Sequence, residues 1–194
     1  MSRGAELSRT TEETKVEVIL DLDGQGQVEI ATGVGFLDHM LSALGKHARF
    51  DLTVRAQGDI GVDDHHTVED CAIVLGRALD DALGDRTGIT RFGYAYAPLD
   101  ESLSRAVVDL SGRPWPEISI DFGRERIGDV ATENIVHFFR TLAMEGRMAL
   151  HIDLMRGDND HHKSESAFKA LALALRSACA VTSADMPSTK GSLG

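Results

Sequence analysis

The sequence predicts an α+β fold made of two copies of one half-chain plan. Three observations predict it. Segments in which apolar residues alternate with period two are interleaved with segments of helical spacing. The order strands, helix, strand, helix occurs twice along the 194 residues. Chemically unusual groups recur about half a chain apart, the mark of an internal repeat. The expected division is 1–90 for the first half and 91–194 for the second half with its tail.

Each element follows from its pattern. Residues 1–12 are polar and read as an arm that stays irregular until it meets a partner. Lys15 to Leu22 places Val16, Val18, Leu20 and Leu22 on one side, as in a half-buried strand. Gly24-Gln25-Gly26 is a turn signal, and Gln27 to Ala31 returns as a second strand, so the pair reads as a hairpin. Phe36, Leu37, Met40, Leu41 and Leu44 recur at helical spacing as far as Lys46, and Phe50 to Ala56 alternates again. Val68, Ala72, Leu75, Leu79 and Leu83 mark a helix capped at Asp63 or Asp64 and ended by Gly84 and Gly88.

In the second half, strands are expected at Arg91–Ala97, Ser104–Leu110 and Glu117–Asp121. A helix over Thr132–Arg147, a strand at Leu150–Met155 and a helix over His161–Val181 follow. The tail around Pro187-Ser188-Thr189-Lys190-Gly191 reads as irregular.

Composition narrows the function. The chain is 42% hydrophobic and 26% charged, with a net charge of -11 and a pI near 5.1. No Lys/Arg run offers the basic stripe that nucleic acid requires, so no nucleic-acid partner is expected. The N-terminus, Met1-Ser2-Arg3-Gly4-Ala5-Glu6, lacks the apolar stretch of a signal peptide, and the most apolar long segment, Ala167 to Val181, is interrupted by Lys169 and Arg176, so neither a signal peptide nor a membrane span is expected. The two cysteines, Cys71 and Cys179, sit in apolar helical patterns and read as buried free thiols, which suits a cytoplasmic location.

The histidines carry the chemistry. Of eight, six fall in repeated places. His65-His66 with Glu69 is matched by His161-His162 with Glu165, and both His65 to His161 and Glu69 to Glu165 span 96 positions. His39 and His137 are 98 apart and precede their His-His pairs by 65 − 39 = 26 and 161 − 137 = 24 positions. Residues four apart share a helix face, so His65 points with Glu69 and His161 with Glu165, each pair toward one ion. Adjacent helical residues point about 100° apart, so His66 and His162 face elsewhere and are free to reach a second ion. With His39 and His137 the count is six imidazoles and two carboxylates, four protein ligands for each of two ions. Such donors without thiolate suit Mn, Fe, Zn, Co or Ni better than Mg or Ca. Asp63, Asp64 and Asp70 read as caps or as hydrogen-bond acceptors behind the ligands. Arg91, Arg113, Lys169 and the Ser188 to Gly191 tail could together hold a phosphate.

The segments Phe36-Leu37-Asp38-His39-Met40-Leu41, His65-His66-Thr67-Val68-Glu69-Asp70, Ser111-Gly112-Arg113-Pro114 and Asn159-Asp160-His161-His162-Lys163-Ser164-Glu165 resemble the imidazoleglycerol-phosphate dehydratases. The resemblance runs from about Arg9 to Lys190 and is to the monofunctional form. It implies a duplicated α+β half, each a four-stranded sheet backed by two helices, of the ribosomal protein S5 domain 2-like type. It implies removal of water from D-erythro-imidazole-glycerol phosphate to give imidazole-acetol phosphate in histidine biosynthesis, through an imidazolate held by two Mn(II) ions per active site. It implies that His39, His66, His161 and Glu165 hold one ion, and His65, Glu69, His137 and His162 the other. It also implies a 24-subunit homo-oligomer with sites shared between chains. The substrate contacts it implies are Glu13, His47, Arg91, Arg113, Lys169, Ser188 and Lys190. Glu13 is the candidate acid/base group, with Glu12 its rival. Leu99, just before Asp100-Glu101, departs from the methionine common there. Without the resemblance, a bimetal hydrolase would rank first, and a metal-storage shell is a third reading.

Overall fold

The structure, a computed structural model, describes residues 3–193 of the chain. The first half runs β1 (Gly4–Thr10), β2 (Thr14–Asp21), β3 (Val28–Ala31), α1 (Gly35–Ala48), β4 (Asp51–Gly58) and α2 (His65–Leu83). The second runs β5 (Phe92–Leu99), β6 (Ser102–Asp109), β7 (Trp115–Ser119), β8 (Arg126–Ile127), β9 (Val130–Ala131), α3 (Thr132–Glu145), β10 (Ala149–Arg156) and α4 (Asp160–Ala178). Apart from the small β8–β9 hairpin, the halves repeat element for element. Their sheets have the matching orders β1-β2-β4-β3 and β5-β6-β10-β7.

Alternation builds both sheets. Val16, Val18 and Leu20 of β2 are buried beside Val54 and Leu52 of β4, in a register that pairs Val18 with Val54 and Leu20 with Leu52. In the second sheet Ala106 faces Ile152 and Val108 faces Leu150. The helices cover these apolar faces, α2 on β1 and β2, α4 on β5 and β6. Helices of opposite halves also pack on each other, α1 on α4 and α2 on α3. One continuous core results, with Phe138, Phe139 and Phe168 in mutual ring contact at 4.5–5.9 Å. No described helix is long and apolar enough to cross a membrane.

Two expectations need correction. Residues 4–10 are not an irregular arm: they form β1, paired antiparallel to β2 from Gly4↔Asp21 to Thr10↔Lys15. Ala5 and Leu7 are the only apolar side chains on its inward face, where Arg9 pairs with buried Asp70, and backbone pairing along the sheet edge compensates for so few apolar side chains. Nor do β2 and β3 form a hairpin. β4 lies between them, antiparallel to β2 and parallel to β3, so that β3, α1 and β4 make a crossover unit. The Gly24-Gln25-Gly26 turn is held instead by Asp51 at the start of β4, which accepts the Gln25 and Gln27 N–H groups at 2.8 Å each. A turn signal reports a local reversal; it does not report which strand fills the neighbouring place.

Close packing makes one position sharply testable. Gly93 in β5 lies directly under α4, where an added Cβ would collide with the Ala174 carbonyl oxygen. Gly93→Ala is expected to lower stability by about 3 kcal/mol, the upper part of the range for overpacking, as read from a denaturant midpoint. An unchanged midpoint would show that α4 is free to lift off the sheet.

Cys71 and Cys179 are buried and free, as expected. Burial pushes each thiol up to about 12. Both should resist alkylation in the folded chain and react once it is unfolded. The unfolded chain releases these protons near pH ~8.5 while the folded chain retains them, so stability should fall as pH rises past that value. Labelling of either thiol under native conditions would contradict this packing.

Candidate metal centre

The two long helices that open with paired histidines begin in similar ways. Asn159 caps α4 by accepting the His161 N–H at 2.9 Å. Asp63 does the same for α2, accepting the His65 N–H at 2.6 Å. Asp64, the other candidate cap, turns inward and accepts from Arg126, the Ala131 N–H and the Asn134 amide. Asp70 is buried against Arg9 and Thr14, so neither it nor Asp64 faces a cluster as a ligand.

With the helix starts set, His161 and Glu165 lie on one face of α4, their Nε2 and Oε2 atoms 3.3 Å apart. His39 on α1 completes this group, its Nε2 3.2 Å from the same carboxylate oxygen. On the other helix pair, Glu69 Oε1 of α2 is 2.8 Å from His137 Nε2 of α3, and the His137 ring stacks on His65 at 5.0 Å. In each trio the potential ligand atoms lie within 4.8 Å of one another. Two donors on one ion at about 2.1 Å each are at most about 4.2 Å apart. A shift of about half an ångström therefore suffices, and mixed nitrogen and oxygen donors suit a divalent transition metal. Each trio draws on both halves, α1 with α4 and α2 with α3, so neither half carries a trio alone.

His66 and His162 belong to neither trio. His66 Nδ1 lies 3.1 Å from Asp59 and its Nε2 lies 3.7 Å from Glu13. His162 Nδ1 lies 2.7 Å from Glu101. Hydrogen bonding to Asp59 raises the His66 pKa, and the same relation to Glu101 raises that of His162. Glu101 in turn is held well below the usual carboxylate range by the Asn159 N–H first and then by His162. Both rings therefore project from the helix starts on the side away from their own trio, as helical geometry predicts.

Apart from Glu13, the expected substrate contacts divide into two sets. Lys169 is one turn beyond Glu165 on α4, with Nζ 2.6 Å from Glu165 Oε1. Burial alone would raise Glu165, yet Lys169 and His39 together hold its pKa below the usual value. His47, near the end of α1, is lowered by burial and then by the Lys169 charge, which puts it beside this cluster. The second set lies elsewhere. Arg91 is gripped by Asp109 and donates to the Pro187 carbonyl at 2.8 Å, so it anchors the tail that carries Ser188 and Lys190. The Arg91 N–H bonds to Ala178 at the end of α4, 178 − 165 = 13 residues past Glu165 and hence about 20 Å away at 1.5 Å per residue. Arg113 is exposed just past Leu110, whose N–H bonds to the Arg91 carbonyl. Arg91, Arg113, Ser188 and Lys190 thus share one end of the chain, away from the Glu165 trio.

Glu13 sits in the turn between β1 and β2, where Thr11 Oγ1 accepts its N–H at 3.1 Å and its carbonyl accepts from Asp59. Its carboxylate faces His66. Glu12 is exposed and makes no side-chain hydrogen bond among the described residues. Sequence reading passed over Asp59, Glu101 and Asn134, the partners of His66, His162 and His65. Asp59 lies 7 positions before His66 but in the loop ahead of α2, and Glu101 and Asn134 lie 61 and 69 positions from their rings on other elements, so no periodicity marks them.

Comparison with known proteins identifies the family. The family model of imidazoleglycerol-phosphate dehydratase matches residues 32–175. An imidazoleglycerol-phosphate dehydratase of Acidiphilium cryptum is 53% identical over 196 residues, covering all of both chains. One from Phytophthora nicotianae is 54% identical over 98% of this chain, which spans only 42% of that longer relative. The crystal structure of the Staphylococcus aureus enzyme superposes with a TM-score of 0.84 at 39% identity, covering 92% of this chain and 99% of that one. The duplicated fold, the paired trios and these likenesses coincide: the chain belongs to the imidazoleglycerol-phosphate dehydratase family.

Proposed function

We propose that the chain removes water from D-erythro-imidazole-glycerol phosphate to give imidazole-acetol phosphate, a step of histidine biosynthesis, with two Mn(II) ions at each active site. The observation that carries this reading is the pair of His–His–Glu trios, each short of a full ligand set within one chain. His39, His161 and Glu165 are the in-chain ligands of one ion, and His65, Glu69 and His137 of the other. His66 and His162 complete these sets from neighbouring copies, His66 the first and His162 the second, because each projects away from its own trio. The separation of Arg91, Arg113, Ser188 and Lys190 from the Glu165 trio supports the same conclusion: a copy of the chain brings its basic end to another's metals. This favours a closed homo-oligomer, and the family resemblance puts it at 24 subunits. The division into halves at 1–90 and 91–194 is the corresponding domain proposal.

Two bound cations would supply Lewis acidity, lowering the cost of removing the N–H proton from the substrate's imidazole ring. The chain supplies the rest. Lys169 and His47 beside the Glu165 trio, with Arg113 and Lys190 of a neighbour, would hold the phosphate by charge-assisted hydrogen bonds. The hydroxyl leaves from the carbon attached to the ring, a proton leaves the next carbon, and the resulting enol becomes the ketone by returning a proton to the ring-side carbon. Glu13, whose carboxylate faces His66, is the candidate group to carry a proton in this sequence.

A dehydratase assay with and without Mn(II), run alongside metal analysis of the same sample, tests the proposal. Turnover of the imidazole substrate at two metals per chain, lost on chelation, is the expected result. Hydrolysis of simple phosphate esters without dehydration would point to a bimetal hydrolase instead, and metal loading far above two per chain to storage.

A further inference from the structure

The two trios are related by the repeat, but their surroundings are not. The side chain of Asp64 is fully buried and accepts three N–H groups: Arg126 at 3.0 Å, the Ala131 backbone at 2.9 Å and Asn134 Nδ2 at 2.9 Å. Two of these donors come from the β8–β9 hairpin, which has no counterpart in the first half: residues 120–131 separate β7 from α3, whereas residues 32–34 suffice between β3 and α1. Asp64 presents only acceptors to Asn134, so the buried amide must turn its NH2 toward Asp64 and its carbonyl oxygen the other way. That oxygen lies 2.9 Å from His65 Nδ1. A carbonyl only accepts, so Nδ1 is the donating nitrogen, an orientation that in the neutral ring leaves Nε2 with the lone pair that a metal requires.

The matching position in the other trio lacks this device. Asn134 stands three residues before His137; three residues before His39 stands Phe36, whose ring meets His161 edge-on at 5.2 Å. A phenyl ring has no lone pair to accept the imidazole N–H as a carbonyl oxygen does. The carboxylates differ as well. Glu165 has Lys169 four residues on, paired with it at 2.6 Å, while four residues beyond Glu69 stands the uncharged Ile73. A metal ion at Glu165 must share that carboxylate with a fixed cation; an ion at Glu69 need not.

Resting on the reading of both trios as metal sites, we propose that Asn134, held by Asp64, is a positioning residue that presents His65 Nε2 to a metal ion, and that it makes the α2–α3 trio the tighter of the two divalent-cation sites. A hydrogen-bond acceptor behind a ligating histidine both orients the ring and raises its basicity, and loss of such a partner costs about 10- to 100-fold in metal affinity.

The test is a Mn(II) titration of the metal-free full-length protein in its native assembly, with free Mn(II) followed by electron paramagnetic resonance. Two equivalents per chain should bind in two resolved steps. Glu69→Gln should remove the tighter step and Glu165→Gln the weaker. Asn134→Leu, of similar volume but without an acceptor, should weaken the tight step by about 10- to 100-fold and leave the weak step in place. A destabilised fold would weaken both steps, so selectivity is the signature of positioning. The inference is overturned if the two steps have equal affinity, if the tight step disappears with Glu165, or if folded Asn134→Leu titrates like the unmodified chain. Should Asn134→Leu not fold, the order of loss in the two glutamate variants still decides. Failure of the unmodified chain to bind Mn(II) would overturn the dimetal reading too, whereas two equal equivalents with dehydratase turnover would overturn this inference alone.

Discussion

Glu165→Ala should lose one equivalent of metal per chain and on the order of a thousandfold in turnover. Its carboxylate lies 3.2 Å from His39 and 3.3 Å from His161, so one truncation removes the residue that both imidazoles of its trio converge on. It also frees Lys169, whose ammonium is left beside two histidines with no counter-charge. Two imidazoles and a cation are a poor site for a divalent ion. A bound metal supplies several kcal/mol of charge stabilisation, and each 1.36 kcal/mol is a factor of ten in rate, hence the size of the expected loss. Glu69→Ala should do the same to the other trio, leaving His65 and His137 stacked without their carboxylate. Metal analysis and the dehydratase assay check both variants together. Two equivalents retained in either one would remove that glutamate from the ligand set.

Glu13→Gln should leave metal content at two equivalents and reduce turnover by about 10²- to 10⁴-fold, the usual contribution of a general acid or base. The two side chains are nearly the same size, so the turn held by Thr11 and the contact near His66 remain, and only the capacity to carry a proton is lost. The position is what singles out Glu13: its carboxylate lies 3.7 Å from His66 Nε2, the ring we propose completes another copy's metal site. Glu12 projects from the same turn without such a neighbour, so Glu12→Gln serves as the control and should remain active. Full activity of Glu13→Gln would remove it from the chemistry; loss of metal from that variant would recast it as a support for His66.

A good part of this was legible in the sequence. Strand alternation at Val16-Val18-Leu20 and helix spacing at Val68-Ala72-Leu75 express local geometry, because a side chain's direction repeats every two residues in a strand and every 3.6 in a helix. The same rule paired His65 with Glu69 and His161 with Glu165 and turned His66 and His162 away from them. The 96-position spacing revealed the duplication because chemically rare groups repeat visibly even where the surrounding apolar residues have drifted.

What periodicity could not say is which distant elements meet. Residues 4–10 look too polar for a strand, and only the exposed edge of β2 makes them one. The turn after Asp23 looks like a hairpin, and only the insertion of β4 between β2 and β3 refutes it. His39 joins Glu165, 126 positions away, because α1 packs on α4 across the halves, and Asn134 reaches His65 because α3 packs on α2. By itself, then, the sequence determined the elements, the repeat and the residues able to bind metal. The family resemblance already implied which residues share an ion; the tertiary structure alone decided strand order, the helix packing that brings each trio together and the unequal surroundings of the two trios. The physical reason is that local spacing has a small set of geometric outcomes, whereas pairing between remote segments is a choice among many arrangements of similar local energy, settled by which one buries the whole core at once.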